Sequence, residues 1–264
     1  MKMAHMLPCY LHISKGVCVN TPPTSKGTRF SHARRISGHK LHVSSSKGCV
    51  VQCCRASSTS TSSTAREYLA SEFGWKVRRL TREEHEMNEV AQIQAEAFHT
   101  PMALFDDLFF QFFKAEVLSG LIYKLRNSPP DRYACLVAEP AVDSSKSESK
   151  LVGIVDATVL RDEAVLQHLN GAEEYLYISG IAVSQSFRKQ KIGSVLLKAC
   201  DVLSTLWEFE YLVLRAYEDD VAARRLYSNA GYKVVSIDPQ WVTWIGRKRR
   251  VVMIKQSNLL SSHF

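Results

Sequence analysis

Two stretches of this sequence put polar chemistry where a chain turns from strand to helix. The first is 178–197, ISGIAVSQSFRKQKIGSVLL. Apolar residues run to Val183, a polar turn follows, and Ile192, Val195, Leu196, Ala199, Leu203 and Leu206 then recur on one helix face. Such a junction leaves backbone N–H groups unpaired at the positive end of a helix dipole. That arrangement binds phosphate without any special side chain. Arg188, Lys189 and Lys191 add charge, and Gly193 lets a ligand approach the backbone. Taken alone, the stretch reads equally well as a plain β–α connection with a solvated basic cap. The second stretch is 212–232, LVLRAYEDDVAARRLYSNAGY: a strand, an acidic turn, and a helix stopped at Gly231. Ala223 and Tyr227 are four residues apart and share a helix face, and the small Ala223 leaves room beside Tyr227 for a ligand to pass. By itself, Tyr227 would read as a core tyrosine.

The elements around these stretches follow from periodicity. Residues 75–80 (WKVRRL), 133–138, 151–160, 174–183, 211–217, 232–237 and 251–255 read as strands by alternation or apolar runs. Residues 83–98, 104–125, 189–206 and 220–230 read as helices. In the second of these, Phe105, Leu108, Phe109, Phe112, Phe113 and Val117 form a stripe expected to pack into a core. The order β-α-α-β-β-β-α-β-α-β-β indicates a single α/β (α+β) domain with a mixed sheet.

Together the two stretches resemble the GNAT acetyltransferase superfamily. Its first signature is a small apolar triplet ending a strand, then Arg-x-x-Gly-x-Gly/Ala opening a helix. Here Ile181-Ala182-Val183 precedes Arg188-Lys189-Gln190-Lys191-Ile192-Gly193-Ser194. The second, Asn-x-x-Ala-x-x-Leu-Tyr-x-x-x-Gly-Phe/Tyr, appears as Asp220, Ala223, Leu226, Tyr227, Gly231 and Tyr232. The resemblance covers roughly residues 75–255. It implies a mostly antiparallel sheet whose fourth and fifth strands, 174–183 and 211–217, splay apart to admit acetyl-CoA. It also implies pantetheine against the backbone of Ile181, Ala182 and Val183. Pyrophosphate would rest on Arg188, Lys189, Gln190, Lys191, Ile192, Gly193 and Ser194, with further contacts at Asp219, Asp220, Ala223 and Tyr227. Tyr227 would protonate the departing sulfur, a phenol of pKa about 10 giving to a thiolate near 8.5. No metal is implied. Two residues depart from the pattern. Lys191 stands for the first glycine, at a cost of about 1 kcal/mol if its φ is positive, and Asp220 stands for the usual Asn.

The resemblance extends to plastid members that acetylate protein N-termini and lysines by direct attack through a tetrahedral intermediate. A neutral amine is required. An α-amino group of pKa about 8 is far closer to that state than lysine at about 10.4, a gap of roughly 3 kcal/mol. Glu174, Tyr175, Tyr177 and Asp156 are candidate bases, and none is preferred. Tyr175 and Tyr177 share strand parity with Ile181 and Val183, so they should face the same side. In the loop 238–250, Trp241 and Trp244 either wall a peptide groove or lie on an exposed hairpin. Acetylation of a small-molecule amine, or acetyl-CoA binding without turnover, fits the same motifs.

The chain carries 34 basic and 26 acidic residues, but no acid precedes Glu67 and ten basic residues do. The remainder holds 24 basic against 26 acidic, which argues against a nucleic-acid surface. The acid-free, Ser/Thr-rich beginning has the composition of a plastid transit peptide, an ordinary unstructured tail being the alternative. The expected organisation is a transit peptide 1–55, a linker 56–73, the catalytic domain 74–257 and a tail 258–264, with a chloroplast destination. Five of seven Cys fall before residue 55, and Cys135 and Cys200 have no zinc-ligand spacing. No apolar run is long enough for a membrane span. Protein or peptide substrates are the expected partners, without nucleic acid or membrane, and self-association stays open.

Overall fold

The alternating apolar runs resolve, in the computed structural model, into eight strands of one sheet. The structure describes residues 67–99, 106–141 and 150–257, all within the compact unit Thr61–Phe264. The expected transit peptide, residues 56–66 of the linker, Leu104 and Phe105, most of the polar hairpin loop (142–149) and the tail lie outside the described residues.

The strands are β1 (Tyr68–Glu72), β2 (Trp75–Arg79), β3 (Tyr133–Pro140), β4 (Gly153–Leu160), β5 (Tyr175–Val183), β6 (Tyr211–Tyr217), β7 (Lys233–Ile237) and β8 (Arg250–Gln256). They lie in the order β1-β2-β3-β4-β5-β6-β8-β7. Every neighbouring pair is antiparallel except β5 and β6, which are parallel. The helices are α1 (Glu84–Phe98), α2 (Asp106–Asn127), α3 (Glu163–Leu166), α4 (Ile192–Leu206), α5 (Val221–Asn229) and α6 (Trp241–Trp244). The sequence reading missed β1, which occupies part of the expected linker, and the two four-residue helices.

Strand β3 is apolar on both sides because both faces of the sheet are covered. Ala134, Leu136 and Ala138 meet Val195, Leu196, Ala199 and Leu203 of α4, with Val155, Leu176, Ile178 and Leu212 in the same core. Tyr133, Cys135 and Val137 face the other way, onto Val90 and Ile93 of α1 and Leu121 of α2. A third cluster joins Tyr175, Tyr211, Val213 and Ile254 to Val165 and Leu169. At the β1 edge, buried Arg78 is held between Glu86 of α1 (Nη2 to Oε1 2.6 Å) and Glu139 of β3 (2.9 Å), and the Tyr68 hydroxyl donates to Glu139.

Two expectations fail here. The helix expected from Lys189 starts at Ile192, because Lys189 and Lys191 are both left-handed (φ 62° and 67°). The aromatic stripe of α2 does not enter a core: Leu108 and Phe112 are 68% and 74% exposed, and only Val117 and Leu121 of the helix are buried. The first half of α2 is held by His99 rather than by the sheet. That ring meets Phe110 and Phe113, and its Nε2 lies 2.9 Å from Asp106.

Candidate active site

Strands β5 and β6 run side by side only from Leu176–Leu212 to Ile178–Leu214. Beyond that, β5 continues to Val183 on β4, and β6 continues to Tyr217 on β8. Among the described residues no ladder joins the two diverging ends, so the edge of β5 from Ser179 onward offers free backbone groups to the gap. This is the splay expected between strands 174–183 and 211–217.

A bulge sits at the mouth of that gap. Ile154 faces Ala182 and Asp156 faces Ser179, so Gly180 and Ile181 together oppose Val155. Gly180 takes φ +62°, and a Cβ there would stand 3.0 Å from Gln94 Nε2 and 3.2 Å from Asp156 Oδ2. The extra residue reverses the pleat. Ile181 and Val183 therefore pack on the α4 core with Leu176 and Ile178, while Ala182 joins the α1 core and Tyr175 and Tyr177 the third cluster. The expectation that Tyr175 and Tyr177 share a side with Ile181 and Val183 is thus overturned, because parity does not survive a bulge.

Next comes the basic loop. Arg188 Nε donates to the Val183 carbonyl (3.3 Å), folding the loop back over the strand end. Lys189, Gln190 and Lys191 are exposed, and the two lysines in left-handed backbone cost about 1 kcal/mol each. An alternation of left-handed with ordinary residues turns successive N–H groups to one side, the geometry of anion-binding nests. Ser194 and Val195 donate to the Lys191 carbonyl, which leaves the amides of Ile192 and Gly193 as the leading donors of α4. Ile192 itself is buried, and Gly193 turns toward α5: a Cβ on it would meet Leu226 Cδ2 at 2.9 Å.

That contact brings α5 to the gap. The Asp220 carboxylate accepts from the Ala223 amide (2.9 Å), so it caps the helix as the usual Asn would. Asp219 is at the surface and its carboxylate is taken by Lys248 (2.8 Å), which lowers its pKa. Tyr227 lies against the α4 core, with its ring edge-on to Tyr232 (6.3 Å between centroids). Burial pushes the Tyr227 phenol up to about 12, with Asp220 and Tyr177 adding negative potential.

The four candidate bases separate. Glu174 pairs with Arg132 just before β5 begins, away from the bulge. Tyr175 is fully buried and its pKa is raised, chiefly by burial. Tyr177 is half-buried and feels Tyr227. Asp156, also buried, lies directly behind Gly180, accepting from the Tyr133 hydroxyl (2.7 Å) and Gln94 Nε2 (3.3 Å), with Lys124 Nζ at 3.6 Å. Trp241 and Trp244 are exposed on α6, 53% and 83%. Among the described residues one cluster, Glu83, His85 and Glu86, has metal-ligand types, but Glu86 is committed to Arg78 and Thr81. Sequence reasoning missed Gln94 and Gly180. An isolated glycine inside a strand was the available signal for the second; nothing local marked the first.

The acetyltransferase (GNAT) family model matches residues 95–232. A chloroplastic GCN5-related N-acetyltransferase 10 of Arabidopsis thaliana is 62% identical over 193 residues, covering 72% of this chain and 75% of that protein. Among solved structures, Arabidopsis thaliana NAA60 in complex with acetyl-CoA superposes with a TM-score of 0.50 at 18% identity, covering 70% of this chain and 99% of that one.

Proposed function

The chain belongs to the GNAT acetyltransferase family, and from that membership we propose that it moves the acetyl group of acetyl-CoA onto α-amino and lysine ε-amino groups of plastid proteins. It is an N-acetyltransferase of the chloroplast, in line with its relative. The acceptor class is our reading. One observation supports this site most: the left-handed basic loop follows the unladdered end of β5, and the Gly193–Leu226 contact sets Tyr227 of α5 beside the helix start that the loop opens.

These residues fit acetyl-CoA, because an unpaired strand edge suits an amide-bearing arm and a helix start with Arg188, Lys189 and Lys191 suits a pyrophosphate. When bound, acetyl-CoA supplies an activated acyl thioester. Backbone of Ile181–Val183 would align the arm. The amides of Ile192 and Gly193 would meet the phosphates, with Ser194 offering its hydroxyl and the lysines adding charge. Ala223 leaves the passage beside Tyr227 open. A peptide N–H at the bulge would meet the charge that develops on the acetyl oxygen. Tyr227 with a pKa near 12 is neutral at any working pH. Full transfer of its proton to a thiolate of pKa about 8.5 would be uphill by roughly 5 kcal/mol. Tyr227 therefore acts by donating a hydrogen bond to the departing sulfur, and the proton comes in the end from the attacking amine. Asp219, tied to Lys248, serves the turn before α5 rather than the ligand.

The test is mass spectrometry of host proteins when the chain is expressed in a bacterium, beside incubation of purified protein with acetyl-CoA and a peptide library. Modified N-termini and lysines are expected. Turnover of small amines with no modified peptide would overturn the acceptor assignment. CoA binding with no turnover at all would overturn the catalytic one.

A further inference from the structure

We propose that Trp75, at the start of β2, is a positioning residue for the phosphate-binding loop. The inference rests on the cofactor site described above. Trp75 is almost wholly buried, and its indole Nε1–H donates to the Gln190 carbonyl at 2.9 Å across 115 residues of sequence. Gln190 is the residue between left-handed Lys189 and Lys191. A run that turns its N–H groups to one side turns carbonyls to the other, and Trp75 holds the middle carbonyl from there. The indole is itself fixed. Its ring meets Phe187, at the entry to the loop, edge-on with centroids 5.8 Å apart. Trp75 pairs with Pro140 on one side and Glu72 on the other. Lys198 of α4 bonds Glu72, so helix and strand edge are joined one helical stretch further on. Gly153 lets the first turn of α4 close onto β4, where a Cβ would meet Ile192 Cγ2 at 2.9 Å.

The loop needs an outside hold because its own residues resist its shape. Where a glycine would take the left-handed conformation freely, Lys191 does not. The chain keeps a cation at that position and secures the backbone by a bond from another part of the sheet. Trp75 lies on β2, N-terminal to the stretch 95–232 that the family model matches.

The test is a double-mutant cycle on the full chain, read as CoA affinity by calorimetry and as separate kcat and KM for acetyl-CoA. Trp75→Phe keeps an aromatic ring against Phe187 and removes the donor. It should weaken CoA binding about tenfold and raise KM by the same factor, with kcat changed less than twofold. In a Lys191→Gly background the same change should cost less than threefold, because glycine holds the left-handed turn unaided. An equal loss in both backgrounds, or no loss in the wild-type background, overturns the proposal. Wild-type protein that binds no CoA overturns the cofactor site along with it, so the two failures are distinct. A second measurement needs no variant. The Trp75 indole proton should be protected from solvent exchange and should shift in the NMR spectrum when CoA is added. A signal that exchanges freely or does not move overturns the proposal.

Discussion

Gly193 of α4 and Leu226 of α5 meet with no space for a methyl group between them: a Cβ on the glycine would stand 2.9 Å from Leu226 Cδ2. Tyr227 is the next residue on α5, so this contact sets how closely α5 carries the phenol to α4. Gly193→Ala gains about 1 kcal/mol of helix propensity and loses a similar amount to crowding, which leaves stability near that of wild type. Turnover should fall about tenfold as α5 is pushed outward. Adding Leu226→Ala should restore most of it, and a double variant as slow as the single one would show that the contact does not govern Tyr227.

Removing the Tyr227 hydroxyl separates binding from chemistry. Tyr227→Phe should keep CoA affinity within about twofold and lower kcat by roughly a hundredfold, the scale for losing one hydrogen-bond donor to charge that develops in the transition state. Undiminished kcat would remove Tyr227 from the reaction.

Alkaline stability follows from the same residue. Burial raises the Tyr227 pKa to about 12, and raises Tyr175 and Tyr232 as well. An unfolded phenol titrates near 10. The folded state thus holds these protons more tightly, so the Tyr227 contribution is fully present below pH 10 and lost as pH rises from about 10 through 12, and those of Tyr175 and Tyr232 begin to fall at the same pH and are lost over a wider span. Two units at Tyr227 correspond to about 3 kcal/mol. Urea midpoints should be level from pH 8 to 9.5, then fall, and fall less in Tyr227→Phe. A level midpoint to pH 11.5 would contradict the burial of these phenols.

Tyr232 tests the opposite sign. Its hydroxyl is buried with no hydrogen-bond partner among the described residues, while its ring touches Tyr227 and lies under Lys255 Nζ at 5.8 Å. Tyr232→Phe keeps the ring and removes the unpaired group. It should raise stability by about 1 kcal/mol with activity unchanged. A drop of that size in a thermal melt would mean that the hydroxyl is bonded in solution.

Gly180→Ala should cost both stability and turnover. The left-handed backbone disfavours alanine by about 1–2 kcal/mol, and the new methyl would press on Gln94 and Asp156, both buried. Wild-type melting and kinetics in that variant would show the bulge to be pliable.

The bulge also marks the limit of reading this fold from sequence. The signatures around Arg188–Ser194 and Asp220–Tyr232 are local, each read within one turn and one helix, and both fall at a strand-to-helix turn as their spacing implied, although α4 begins at Ile192 rather than Lys189. The side of the sheet reached by Tyr175 and Tyr177 is not local. It depends on one extra residue opposite Val155, which strand alternation alone does not reveal. The α2 stripe looks like a core face by spacing, yet burial depends on what lies opposite, and the sheet reaches only as far as Val117 and Leu121. Strand β1, reading YLASE, is too short and polar to show a period, and owes its existence to pairing with β2. Trp75 carried no motif at all, since its partner lies 115 residues away.

Strand β1 has a consequence for how the chain can be shortened. Its first residue, Tyr68, donates to Glu139, which with Glu86 holds the buried Arg78. A protease that trims the N-terminus can stop anywhere before Tyr68 without touching that bond. Trimming a few residues further would strip an edge strand from β2, the strand that carries Trp75. Truncation and the position of the basic loop would then be linked through a single short segment, with the permitted end point lying at the start of β1.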